Sequence, residues 1–415
     1  MNKLLNQIQT YRHAATDHFE GYVDPRFIDL AAQFSRLQDA RSKQGGAALA
    51  VYFHGQKVLD IFTGQKTLQE KWQADTLSVC YSTGKGVLAT LAHILVSRGL
   101  IDYDVPVAHY WPEFAQNGKE KITLADMLKH QSGLFDIRNI IDDATEMLDW
   151  AHMLHRIATA KPRFEAGTDA AYQPLSFGWQ VGGALEKATG QSLAELMDQY
   201  LVQPLALDSA FFGVPEQQLG RLAYLISNPK QEPAKTKKKS PSLVDKLLQY
   251  SGQNPQDFQD AMIPKGMKKV NFLSDEGVRA VIPAANGVFS AENLARIYAM
   301  LANQGQWEGQ TIISSAQFAR LSQIQYRHRD RIMPIPMHWR LGYHRILTLG
   351  KSSQGFGHMG FNGSGAWCDP QRHLSFAYTH NFATASITGD YRLWALSQQA
   401  LTCADQILTG RKAWF

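Results

Sequence analysis

Strand-like runs lie towards both ends of this chain, with a long helical stretch between them. Residues 47–63 read AALAVYFHGQKVLDIFT, two β-rich runs around His54-Gly55, the pattern of a hairpin. Near the other end, FNGSGAWCDPQRHLSFAYTHN holds two more runs, Gly365–Cys368 and Leu374–Thr379, with Asp369-Pro370 supplying the turn. From about Ile122 to Leu207 the pattern is mostly helical, broken by loops at HQSGL and KPRFEAGTDAAYQP. Such a chain must bring its two ends into one sheet and treat the middle as an excursion. The expected fold class is therefore α+β, an α/β sandwich. Its antiparallel sheet is flanked by helices and built from N- and C-terminal segments, with an inserted, mostly helical domain. The expected boundaries are a helical extension at 1–20, an α/β domain at 21–110 and 285–415, and the insert at 111–284. Within the insert, SNPKQEPAKTKKKSPS (Ser227–Ser242) reads as a solvated Lys/Pro-rich loop. The stretch DYRLWALSQQALTCADQIL is again helical. No fixed-period repeat is visible.

Composition excludes several classes. A chain of 415 residues with 44% apolar and 19% charged residues can bury a sizeable core and is not largely disordered. Lys+Arg minus Asp+Glu is 42 − 37 = +5, too mild for a nucleic-acid partner. Three cysteines (Cys80, Cys368, Cys403) lack C-x-x-C spacing, which fits buried or free thiols in a reducing compartment. The start, MNKLLNQIQTYRHAATDHFE, has no apolar core of a secretory signal, and no window reaches the length of a membrane span. A cytoplasmic location is the expectation, with no metal and no cofactor.

Several chemical motifs fail on inspection. H-E-x-x-H is absent, and His152 and His155 have no third ligand in view. The phosphate-loop pattern around Gly84-Lys85 has Val79 and Gly86 in the wrong places, and G-x-S-x-G around Ser364 has Asn362 in its first position. What remains is Ser82-Thr83-Gly84-Lys85. A serine hydroxyl is a poor nucleophile until a base takes its proton. KGVLATLAHILVSRGL from Lys85 has helical spacing and a stop at Gly99, so Ser82 opens a helix and Lys85 lies one turn on, on the same face. The helix N-terminus favours an oxyanion there. Lys85 must be neutral to serve as base, through burial or a nearby cation. A second S-x-x-K, Ser227 to Lys230, falls in the loop with no helix to order it. The tetrapeptide alone is also compatible with a capped helix start and an exposed lysine.

With these residues in hand, the chain resembles the serine β-lactamase-like hydrolases, especially family VIII carboxylesterases and their class C β-lactamase relatives. The resemblance runs through GGAALAVYFHGQKVLDIFTG, DTLSVCYSTGKGVLATLAHILVSRGLIDYDVPVAHYWPEF, ITLADMLKHQSGL, PLALDSAFFGVP, GVFSAENLARIYAMLANQG, WRLGY and FGHMGFNGSGAWCDP. It implies Ser82 as nucleophile and Lys85 as general base. The family's Tyr-x-Asn looks like Tyr172-Gln173-Pro174, which implies that Tyr172 shares protons with Ser82 and Lys85, as base in acylation and as acid to the leaving group. Pro174 replaces the Asn that helps bind the drug's amide side chain, which puts strong β-lactamase activity in doubt. The third motif looks like His358-Met359-Gly360, just before or on an edge strand. It implies an oxyanion hole from the Ser82 and Phe361 N–H groups, close approach at Gly360, and a substrate- or Tyr172-orienting role for His358. The HQSGL segment, His130–Leu134, is taken as structural.

The expected activity is hydrolysis of a small-molecule carboxylic ester through an acyl-enzyme. The alternatives are a β-lactamase or D-Ala-type peptidase acting on amides, and an inactive binding scaffold. Tyr224, Tyr250, Phe272, Trp339 and Tyr343 are candidates for an acyl pocket, although aromatics of this kind more often belong to a core. Oligomeric state is left open.

Overall fold

A computed structural model describes residues 19–39, 45–224, 253–348, 350, 352, 354–382 and 390–410. Of the expected 1–20 extension, only Phe19 and Glu20 are described, and Glu20 is already the first residue of a strand. The Lys/Pro-rich loop at 227–242, the second S-x-x-K and Tyr250 also lie outside the described residues.

The N-terminal segment supplies strands β1 (Glu20–Val23), β2 (Gly46–Phe53) and β3 (Gln56–Gly64), with helix α1 (Ile28–Asp39) between the first two. His54 and Gly55 both take positive φ, +47° and +74°, so the β2–β3 hairpin closes on a two-residue turn with the twist hairpins favour. Next come β4 (Leu77–Val79) and helix α2 (Thr83–Ser97). The middle of the chain is helical, including helix α3 (Phe177–Thr189), but it also contributes two short strands, β5 (Ala210–Phe211) and β6 (Leu222–Ala223). These join β4 and β7 (Val288–Phe289) in a small sheet of order β5-β7-β4-β6. Two-residue strands carry no readable period, which is why the sequence shows only helices there. Helix α4 (Ala291–Ala302) follows, then strands β8 (His344–Arg345), β9 (Phe356–Met359), β10 (Gly365–Asp369) and β11 (Leu374–His380), and helix α5 (Tyr391–Thr409).

The large sheet has seven strands in the order β1-β3-β2-β11-β10-β9-β8, and every pairing is antiparallel. Its two halves meet where β2 pairs with β11, Val51 opposite Phe376. Alternation then sorts side chains to two faces. Ala48, Ala50, Tyr52 and Ala377 share one core with α2 and α4, while Leu49, Val51, Phe53, Phe376 and Tyr378 share the other with α1 and α5. The expected antiparallel sheet between helical layers is what forms. One detail differs: β9 is not the outermost strand, because β8 pairs outside Gly357 and Phe356 and leaves only the His358–Met359 end uncovered.

All three cysteines are buried and unpaired with one another. Among the described residues, no helix is long and apolar enough to cross a membrane.

Candidate active site

Ser82 sits where β4 gives way to α2. Strand β4 is held on both edges by β6 and β7, and the Cys80 N–H donates to the Gly287 carbonyl at 2.8 Å. Tyr81 then turns left-handed, φ +47°, a conformation that costs a non-glycine residue roughly 1–2 kcal/mol. That reversal ends the strand and presents Ser82, partly exposed, to a cleft, while Thr83 to Val96 are all buried.

Lys85 follows one turn later and is fully buried. A Cβ on Gly84 would meet the Pro283 carbonyl oxygen at 2.5 Å, and one on Gly86 would meet the Tyr298 hydroxyl at 2.2 Å. Glycine on both sides lets the first turn pack this tightly around the amine. Lys85 Nζ lies 2.9 Å from Ser82 Oγ, 2.7 Å from the Pro174 carbonyl and 2.8 Å from the Ala284 carbonyl. Burial, not a neighbouring cation, pushes this amine well below its ordinary range. A neutral amine has two N–H groups and one lone pair. The two carbonyls can only accept, so they take the two N–H groups and leave the lone pair facing Ser82.

Tyr172 reaches the same oxygen from the loop before α3, its hydroxyl 2.9 Å from Ser82 Oγ. Burial raises the phenol above its ordinary range, so it keeps its proton and donates to Ser82. The resulting chain runs from Tyr172 O–H to Ser82 Oγ, from Ser82 O–H to Lys85, and from Lys85 to two carbonyls. The Tyr172 ring stacks on Trp339, with centroids 5.6 Å apart and planes at 7°, and meets the edge of His130 at 5.0 Å. Its loop is tied to HQSGL: Ala171 N–H donates to the His130 carbonyl, and Gln173 Nε2 donates to Ser132 Oγ. Pro174 lines the cleft, and its carbonyl serves Lys85.

His358 lines the cleft with Ser82 and Tyr172. Burial holds its imidazole neutral, and Nδ1 lies 3.0 Å from the Met359 carbonyl, which can only accept. Nδ1 therefore carries the hydrogen, and Nε2 is an acceptor with no partner among the described residues. His344 is fixed in the same way: Nδ1 donates to the Arg345 carbonyl, and Nε2 accepts the Met359 N–H at 3.1 Å. Gly360 packs directly on the nucleophile's turn, since a Cβ there would lie 2.3 Å from the Cys80 carbonyl oxygen. The resemblance implies close approach of backbone and substrate at Gly360, and the backbone neighbour there is the Cys80 carbonyl. Gly360 N–H donates to Ser364 and Gly363 N–H to Gly360. The N–H groups of Ser82 and Phe361 donate to no acceptor among the described residues.

The cleft walls are Met262, Met333, Met337, Trp339, Met359 and Phe361, and among the described residues no charged side chain lines the cleft. Of the acyl-pocket candidates among the described residues, only Trp339 stands there. Tyr343 is core, bonded to Thr90; Phe272 packs against the core; Tyr224 bonds Asp275. His152 donates from Nε2 to Glu146, and His155 is exposed. Sequence reasoning missed Asp330, the Ala284 carbonyl and the methionines. Asp330 sits in a run of Arg and His that reads as solvated, and a backbone carbonyl has no residue type to announce it.

Comparison with known proteins shows the family of the chain. The model of the Beta-lactamase family matches residues 30–399. The esterase/beta-lactamase LipL of Mycobacterium tuberculosis (strain ATCC 25618 / H37Rv) is 34% identical over 368 residues, spanning 87% of this chain and 82% of that protein. A penicillin-binding protein homolog from Caulobacter crescentus superposes with a TM-score of 0.80 at 29% identity, over 93% of this chain and 99% of its own. A family VIII carboxylesterase gives a TM-score of 0.79 at 28% identity over the same shares. The chain belongs to the beta-lactamase family, as a hydrolase with esterases among its relatives.

Proposed function

We propose that this protein is a serine carboxylesterase acting on small neutral esters through an acyl-enzyme, without a cofactor. One observation carries the reading: Ser82 Oγ lies 2.9 Å from both a buried amine and a buried phenol. As Ser82 Oγ bonds to the ester carbon, its proton passes to the lone pair of Lys85. The negative oxygen forms between the Ser82 and Phe361 N–H groups, each such donor contributing about 10²–10³ in rate. Tyr172 gives its proton to the departing alkoxide, and Lys85 returns one to the phenolate. Water then enters where the alcohol left and runs the proton steps in reverse. The sequence reading let Tyr172 share in accepting the Ser82 proton; a phenol that burial keeps protonated suits the donor role better.

Two features favour esters over β-lactams and peptides. Among the described residues no Lys or Arg lines the cleft to meet a substrate carboxylate, and His358 is neutral, its buried Nε2 an acceptor. Pro174 offers no side-chain amide. The second reading, hydrolysis of amides, draws support from the double description of LipL. Side-by-side turnover of p-nitrophenyl butyrate and a chromogenic cephalosporin separates the two. We expect ester turnover to exceed cephalosporin turnover by at least about a hundredfold, the scale at which an unmet polar group is rejected. The opposite ranking makes amides the substrate, and no turnover of either makes the protein a binding scaffold.

Gly360 gives an independent test of the oxyanion hole. Gly360→Ala forces β9 off the Cys80 carbonyl, an overpacking that costs roughly 1–3 kcal/mol. The Phe361 N–H moves with it, so kcat should fall further than the loss of thermal stability accounts for. Unchanged kcat at a lowered Tm would remove Phe361 from the hole.

A further inference from the structure

Asp330 lies outside the triad and is buried, 1% exposed. Its carboxylate collects four N–H donors. Oδ1 accepts from Tyr172 N at 3.0 Å, Ile332 N at 2.8 Å and Met333 N at 3.0 Å, and Oδ2 accepts from Trp339 Nε1 at 3.0 Å. Three of the four donor residues, Tyr172, Met333 and Trp339, line the cleft. Trp339 is also the ring on which Tyr172 stacks. One side chain thus grips the catalytic phenol twice, by its backbone and through the indole that fixes its plane.

We infer that Asp330 is a positioning residue, a carboxylate clamp that aims the Tyr172 hydroxyl at Ser82 by holding both the Tyr172 backbone and the Trp339 indole. The inference rests on the esterase reading, in which Tyr172 donates to the leaving group. Charge is the feature the clamp needs. A carboxylate offers accepting lone pairs on both oxygens, whereas Asn must turn an N–H₂ either to the Trp339 N–H or to the three backbone N–H groups. Burying an ion without a counter-cation is costly. Among the described residues no Lys or Arg forms an ion pair with Asp330, and burial pushes its carboxyl up to about 6 against the four donors. Glue alone does not call for an ion at such a place; a rigid bidentate acceptor does.

The test is a double-mutant cycle on the full chain. The acylation rate constant with p-nitrophenyl butyrate is measured in single turnover, per site labelled by a fluorophosphonate, for wild type, Asp330→Asn, Tyr172→Phe and the double variant. Asp330→Asn should slow acylation by about tenfold or more, a cost that vanishes to under about twofold once Tyr172 lacks its hydroxyl, because coupled residues are not additive. Trp339→Phe keeps the stack and removes only the Oδ2 donor. It should show a smaller loss that also disappears with Tyr172→Phe, and it carries the test if Asp330→Asn does not fold. Full additivity in both cycles overturns the inference while leaving the esterase reading intact. Wild-type acylation by Tyr172→Phe overturns the reading of Tyr172, and the inference falls with it.

Discussion

Ser82→Ala should lose ester hydrolysis by about 10³–10⁶-fold, down to the residual rate that an oxyanion hole and a binding cleft sustain without a nucleophile. The same variant should take up no fluorophosphonate, read as the absence of a covalent mass increase on the intact chain. The fold has little reason to suffer. Ser82 is partly exposed at the start of α2, and its side chain caps no helix N–H. Removing Oγ leaves the Tyr172 hydroxyl and one Lys85 hydrogen-bonding position without their shared partner, a cost of about 1–3 kcal/mol that cleft water can partly offset. Activity and stability should therefore separate sharply. Turnover surviving in a folded Ser82→Ala protein would mean that another group attacks the ester.

The same site shows how far a sequence can be read. Ser82 and Lys85 are legible together because their contact is local, one helical turn, and helical periodicity marks where that turn begins. The hairpins at 46–64 and 365–380 are legible because period-two alternation and turn residues are local as well. Tyr172 is 90 positions from Ser82, and Asp330 is 158 positions from Tyr172. No periodicity spans such gaps, so Tyr172 came into view only through family resemblance and Asp330 not at all. The acceptors of Lys85 were hidden for another reason. They are backbone carbonyls of Pro174 and Ala284, present whatever side chain stands there. The neutral state of Lys85 was required by the chemistry in advance, but its cause, burial between Gly84 and Gly86, needed the packing of α2.

Lys85→Arg should abolish turnover about as thoroughly as losing the base altogether, a drop of about 10²–10⁴-fold. Arginine carries a positive charge and never yields a lone pair near neutral pH. If Lys85 acted by charge alone, arginine would serve; if it acts as a base, arginine cannot. Burial makes the base role workable by pushing the amine well below the 10.5 of an exposed lysine. The sign of the pH dependence follows. Below its lowered pKa the amine is protonated and cannot accept from Ser82, so kcat/KM should fall as pH drops through that value. Above it the lone pair is free and activity holds. Folding shifts the same way: the unfolded chain, with an ordinary lysine, binds more protons than the folded one, so this group's contribution to stability rises with pH between the two values. Arginine is also larger, and its failure could reflect bulk. Lys85→Ala removes that objection by opening a space in which a small primary amine can stand. Ethylamine should restore measurable turnover, and the restored rate should climb with the fraction of ethylamine that is neutral. Rescue that instead tracks the charged ethylammonium, or equal activity in Lys85→Arg, would assign Lys85 an electrostatic role and leave Ser82 in need of a different base.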